Sequence, residues 1–157
     1  MKKILVAPLN WGLGHAARCI PVIQKLLEQG ADVSIASDGN SLSLLKQEFP
    51  QLPFFSLPSY NITYSGSNNQ VFKMAGNFLN MRKAIDEEHK QLLRLQQQHS
   101  FDAVISDNRY GIWHSSIKSI FITHQINIKV PAYLRWLQPA LLNFHLKNIS
   151  NFNECWI

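Results

Sequence analysis

Cysteine is scarce in this chain: Cys19 and Cys155 are the only two in 157 residues, with no Cys-x-x-Cys and no Cys/His ligand spacing. That excludes a disulfide framework, gives no ground for a metal site, and leaves two thiols expected to be buried in a reducing compartment. Long hydrophobic runs are missing too, since nothing approaches the roughly 18 apolar residues that a membrane span needs. The basic start Met1-Lys2-Lys3 leads into an apolar run that Asn10 ends too early for a signal peptide. The expected location is the cytoplasm, at most touching the inner face of the membrane. There is no Gly-x-x-x-x-Gly-Lys-Ser/Thr phosphate loop and no Gly-x-Ser-x-Gly nucleophile elbow. Basic residues are scattered without an aromatic-basic motif, so no nucleic-acid partner is expected. Repeats, low-complexity tracts and linkers are absent as well.

What is present is a core. With 46% apolar and 16% charged residues, the chain fits one compact domain over residues 1–157. A formal charge of +5 favours anionic partners such as phosphorylated sugars, nucleotides or acidic lipid surfaces.

The apolar pattern changes period along the chain. Residues 4–9 form a near-continuous apolar run, as in a strand buried on both faces. Cys19, Ile20, Ile23, Leu26 and Leu27 then recur at helical spacing, Pro21 falls in the early turns, and Gly30 closes the helix. Residues 33–36 read as a second strand. Asp38-Gly39-Asn40-Ser41 reads as a turn and N-cap of a short helix through Phe49, and residues 54–57 read as a third strand. Residues 58–70 read as a long surface loop, followed by a helix from residue 72 or 77 to 97 with Asp86 placed to pair with Lys90. Strands are predicted at 101–105 and 120–123. A helix with a kink or break at Pro139 spans 134–149, and a last apolar strand covers 152–157. Strand and helix alternate, which is the signature of a Rossmann-like α/β parallel sheet flanked by helices. A chain that stops inside an apolar strand reads as a truncated or excised domain.

The chemistry collects at strand ends. The first strand runs into Trp11-Gly12-Leu13-Gly14-His15-Ala16-Ala17-Arg18, a tight glycine turn opening a helix whose first N–H groups favour an anion. Asn10, Gly12, Gly14 and His15 follow the first strand. Asp107, Asn108 and Arg109 follow the fourth; His124, Gln125 and Asn127 follow the fifth. In open parallel sheets ligands bind at these carboxyl ends, where the strand order reverses. His15 beside Asp107 would form a general-base pair, the carboxylate fixing the tautomer of the ring. Taken singly, His15 reads as a capping or solvent-exposed residue, Asp107 as an N-cap and His124 as a surface histidine. Arg109 suits a phosphate or a carboxylate equally.

Two further readings stay open. Gly12-x-Gly14-x-x-Ala17 with Asp38 fits a relaxed dinucleotide fingerprint, which would make the chain an NAD(P)-binding module of an oxidoreductase. A non-catalytic binding protein on the same fold is the other. The aromatic and basic stretch around Tyr133, Arg135, Trp136 and Lys147 suits a peripheral membrane contact, or packing in a core or against another domain.

The opening Ile4-Leu5-Val6-Ala7-Pro8 with residues 11–18 and Pro21 resembles the first glycine loop of two-domain GT-B glycosyltransferases, in particular their MurG-like and UDP-glycosyltransferase-like branch. Ile105-Ser106-Asp107-Asn108-Arg109-Tyr110-Gly111 and Phe121-Ile122-Thr123-His124-Gln125 are similar to later strand ends of bacterial members. The resemblance covers almost the whole chain but only the N-terminal, acceptor-side half of a full enzyme. It implies that the C-terminal nucleotide-sugar domain is absent from this chain and that Trp156-Ile157 leads toward it. It also implies His15 as base, Asp107 as its supporting acid, and Gly12 and Gly14 facing the donor phosphates. His124, Gln125 and Asn127 would lie on the acceptor side, flanked by Asn10, Asn108 and Arg109. The pattern departs at Gln125, where the family has Glu, and at Ile126, which interrupts the polar run. The implied reaction is metal-independent and cofactor-free. A hexosyl or N-acetylhexosaminyl group passes from a UDP-linked sugar to a hydroxyl of a sugar, a lipid-linked acceptor or a small molecule, with inversion. These residues alone are expected to be inactive.

Overall fold

A computed structural model describes residues 1–60, 70–124 and 132–157, with side chains for all of these except 70–77 and 132–134. The strands are β1 (Lys3–Pro8), β2 (Asp32–Ser37), β3 (Phe54–Ser56), β4 (Ala103–Asp107), β5 (Lys118–Ile122) and β6 (Glu154–Trp156). The helices are α1 (Leu13–Glu28), α2 (Gly39–Glu48), α3 (Gln70–His99) and α4 (Gln138–Ile149), with a 3-10 turn over Ala132–Leu137 before α4. All six strands pair in parallel in the order β3-β2-β1-β4-β5-β6, so the sheet is Rossmann-like and its order reverses between β1 and β4.

Alternation along the strands divides the core in two. Val6, Ile35 and Ile105 turn one way, onto Ala16, Cys19 and Ile23 of α1 and Leu45 of α2. Leu5, Ala7 and Val104 turn the other way, onto Leu92 and Leu95 of α3. Because both faces are covered, the strands read as continuous apolar runs.

Helix ends follow local chemistry. At the end of α1, Gly30 takes φ +75°; its N–H bonds the Leu27 carbonyl at 2.9 Å and Ala31 N–H bonds Leu26 at 3.0 Å, the paired closure of a Schellman motif. Pro21 lies in mid-helix on the exposed side, where the carbonyl it leaves unbonded meets water. Pro139 starts α4 instead of kinking it, in the first turn where its missing N–H costs nothing. On α3, Lys90 pairs with Glu87 at 2.7 Å, not with Asp86 as the spacing suggested. Gly111, just beyond β4, lets α3 come close: a Cβ there would meet the Ile85 carbonyl at 2.5 Å and Glu88 Oε2 at 2.8 Å.

Candidate functional site

The loop after β1 and the end of β4 flank the reversal, and their side chains meet there. Asp107, the last residue of β4, pairs with Pro8 of β1 and has a side chain with no solvent exposure. Its alternation puts the carboxylate on the α1 side of the sheet. His15 Nδ1 lies 3.0 Å from Asp107 Oδ1. Arg18 holds the same carboxylate side-on, Nε donating to Oδ2 at 2.9 Å and Nη2 donating to Oδ1. Arg18 Nη1 then reaches His124 Nδ1 at 3.1 Å, beyond β5. The rings of His15 and His124 stand 6.0 Å apart, centre to centre. Sequence reading missed Arg18 as a member of this site. The signal was its spacing: residues three apart on a helix share a face, so His15 and Arg18 had to point together.

Cys19 lies beneath, its thiol 3.7 Å from Asp107 Oδ2 and fully buried. Burial and the neighbouring carboxylate push that thiol far above its ordinary range, so it is no nucleophile. Cys155 is half-buried, in contrast to the expectation of two buried thiols.

The glycine loop opens above this pair. Gly12 is the N-cap of α1 at φ 78°, ψ 168°, a conformation essentially reserved for glycine. No side chain caps the helix and no acidic residue lies in its first turn, among the described residues. Nothing within 4 Å would touch a Cβ at Gly12 or Gly14. The α1 N-terminus thus carries no side-chain cap and is flanked by the half-exposed Trp11 and Leu13, and its first backbone N–H groups lack the i−4 carbonyls that a helix supplies further on.

A second polar cluster is buried around Arg109. Arg109 is fully buried, and its guanidinium is consumed internally. It donates to the Pro8 carbonyl at 2.9 Å, to the Pro58 carbonyl at 3.2 Å, to Glu88 Oε1 at 2.6 Å and to Asp38 Oδ1. Glu88 also accepts from Tyr60 Oη at 2.9 Å and Gly111 N–H at 2.8 Å. Burial pushes the Glu88 carboxyl up against the opposing pull of Arg109. Asn10 donates to Asp38 Oδ2 at 3.2 Å and accepts from the Ser41 N–H at 3.2 Å, so Asn10, not the N-cap Asp38, caps α2 with its side chain. The polar atoms of Arg109 and Asn10 thus tie β1, β2, α2 and α3 together.

The remaining expected residues divide. Asn108 sits half-buried at the carboxyl edge with φ 58°, a left-handed turn that asparagine tolerates. Gln125 and Asn127 lie outside the described residues, as does most of the 58–70 loop. His145 and Phe144 of α4 turn inward, with Tyr110 Oη 2.7 Å from His145 Nδ1, while Arg135 and Trp136 are exposed. Among the described residues no helix is long and apolar enough to cross a membrane, and no group of three or more His, Cys, Asp or Glu gathers to hold a metal.

No family model matches the chain. The chain is 27% identical to an uncharacterized glycosyltransferase of Methanosarcina mazei over 96% of its own length, and spans 40% of that relative. Among solved structures it is similar to Acinetobacter baumannii MurG, with a TM-score of 0.56 at 16% identity over 99% of this chain and 40% of that one. It is also similar to Arabidopsis thaliana UGT89C1 complexed with UDP, with a TM-score of 0.60 at 19% identity over 98% of this chain and 44% of that one. The fold is thus the Rossmann-like α/β unit found in GT-B glycosyltransferases, at somewhat under half of their length.

Proposed function

We propose that this chain is the N-terminal, acceptor-side domain of an inverting glycosyltransferase. It would direct a hexosyl or N-acetylhexosaminyl group from a nucleotide-sugar to an acceptor hydroxyl. The observation that carries this reading is His15 bonded to the buried carboxylate of Asp107 beside an uncapped helix N-terminus at the switch point. The similarity to an uncharacterized glycosyltransferase supports sugar transfer, and the UDP held by the Arabidopsis neighbour supports a UDP-linked donor.

In this mechanism Asp107 accepts the Nδ1–H of His15, which leaves Nε2 as the base. The acceptor hydroxyl gives its proton to Nε2 as its oxygen bonds to the anomeric carbon. The bond from that carbon to the diphosphate breaks on the opposite face, and Asp107 stabilises the imidazolium. The leaving diphosphate gains negative charge, and the α1 N-terminal N–H groups at Gly12 to His15 suit that charge. The donor's base and sugar would be held mainly outside these residues, and no resident cofactor enters. The dinucleotide reading is disfavoured by Asp38, whose carboxylate is occupied by Arg109 and Asn10 where a ribose diol would need it.

The longest native polypeptide containing these residues is expected to release nucleoside diphosphate from a UDP-sugar only when a hydroxyl acceptor is supplied. It should show no saturable binding of NADH. Tight NADH binding that is lost in Asp38→Ala, without sugar transfer, would overturn the proposal.

A further inference from the structure

We infer that Arg18 is a positioning residue that sets which nitrogen of His124 carries the proton, while Asp107 sets that of His15, and that Arg18 thereby makes His124 a hydrogen-bond donor beside the base. A guanidinium has only donors. Its Nη1 lies 3.1 Å from His124 Nδ1, so that nitrogen accepts and the proton sits on Nε2, on the side of the ring away from Arg18. At His15 the same guanidinium meets a competitor. Nδ1 lies 2.9 Å from Arg18 Nη2 and 3.0 Å from Asp107 Oδ1, and one nitrogen cannot accept from the first while donating to the second.

The carboxylate wins this competition. With a bare Nδ1, a lone pair would face an anionic oxygen that has no solvent exposure. Nη2 already donates to that oxygen, and an Nδ1–H adds a second donor to it. His15 therefore presents an unprotonated Nε2 and His124 an Nε2–H, on rings 6.0 Å apart. Rings this close let one bound molecule meet both the acceptor and the donor. The reacting hydroxyl bonds to His15, and an adjacent hydroxyl or ring oxygen receives the His124 N–H. The acceptor class is then a sugar or polyol, not an isolated alcohol. That last step rests on the proposed function, whereas the two tautomers do not.

The test uses this chain alone, with 15N-labelled histidines and long-range 1H–15N correlation above the pH where histidines titrate. His124 is expected as its Nε2–H tautomer and His15 as its Nδ1–H tautomer. In Arg18→Lys a single ammonium cannot serve Asp107 and His124 together. His124 should then relax to a tautomer mixture while His15 keeps its Nδ1–H. A wild-type His124 protonated at Nδ1, a wild-type His15 protonated at Nε2, or a His124 pattern unchanged in both Arg18→Lys and Arg18→Met would overturn the inference. Failure of sugar transfer in any longer form would remove the acceptor role and leave the tautomers as measured.

Discussion

His15→Ala, made in the longest polypeptide that transfers sugar, is expected to lower kcat by about 10²–10⁴-fold, the range that a positioned proton-transfer group supplies. The loss should fall on kcat more than on KM, since the proton moves only as the new bond forms. Stability should change little. His15 contributes one hydrogen bond to Asp107, and Arg18 continues to hold that carboxylate through Nε and Nη2. Steady-state kinetics with a saturating donor, together with a thermal melt, separate the two effects. Undiminished kcat would remove His15 from the chemistry.

The other large effect lies in the buried cluster around Arg109. Arg109→Met strands two carboxylates, Asp38 and Glu88, whose shared cation is fully buried. Removing one partner of a buried ionic cluster costs about 3–5 kcal/mol, because the remaining charge has neither water nor a counter-ion. That is a large part of the roughly 5–15 kcal/mol that holds a domain folded. Denaturant unfolding of the isolated chain should show it directly. Neutralising both acids as well, in Arg109→Met with Asp38→Asn and Glu88→Gln, should recover most of the loss. A single Arg109→Met variant as stable as the wild type would show that the cluster carries no such cost.

These two residues mark what a sequence makes legible. The β1 run, the glycine turn and the polar strand ends are local patterns, and each lies on the page within a few residues. The pairing of His15 with Asp107 was legible as well, because both positions flank the reversal in a parallel sheet whatever the loops do. Arg109 was not. Its place two residues past β4 was readable, but its direction depends on Asn108 turning through φ 58° and on partners at positions 38 and 88 that no local pattern links to it. The N-cap of α2 was legible within residues 38–41 and falls on Asp38, yet that side chain answers Arg109 and leaves the capping bond to Asn10. Arg18 was legible from helix spacing, since it stands three residues after His15 on the same face of α1. Its guanidinium serves two partners there, Asp107 and His124.

The stereochemistry of transfer tests the central claim most directly. A single displacement with His15 as base delivers the acceptor oxygen to the face opposite the diphosphate. The proton spectrum of the first product formed from an α-linked UDP-sugar should therefore show a β-anomer. An α-anomer as the first product would contradict that account, since retention requires a second displacement or a front-face path in which the His15–Asp107 pair has no part.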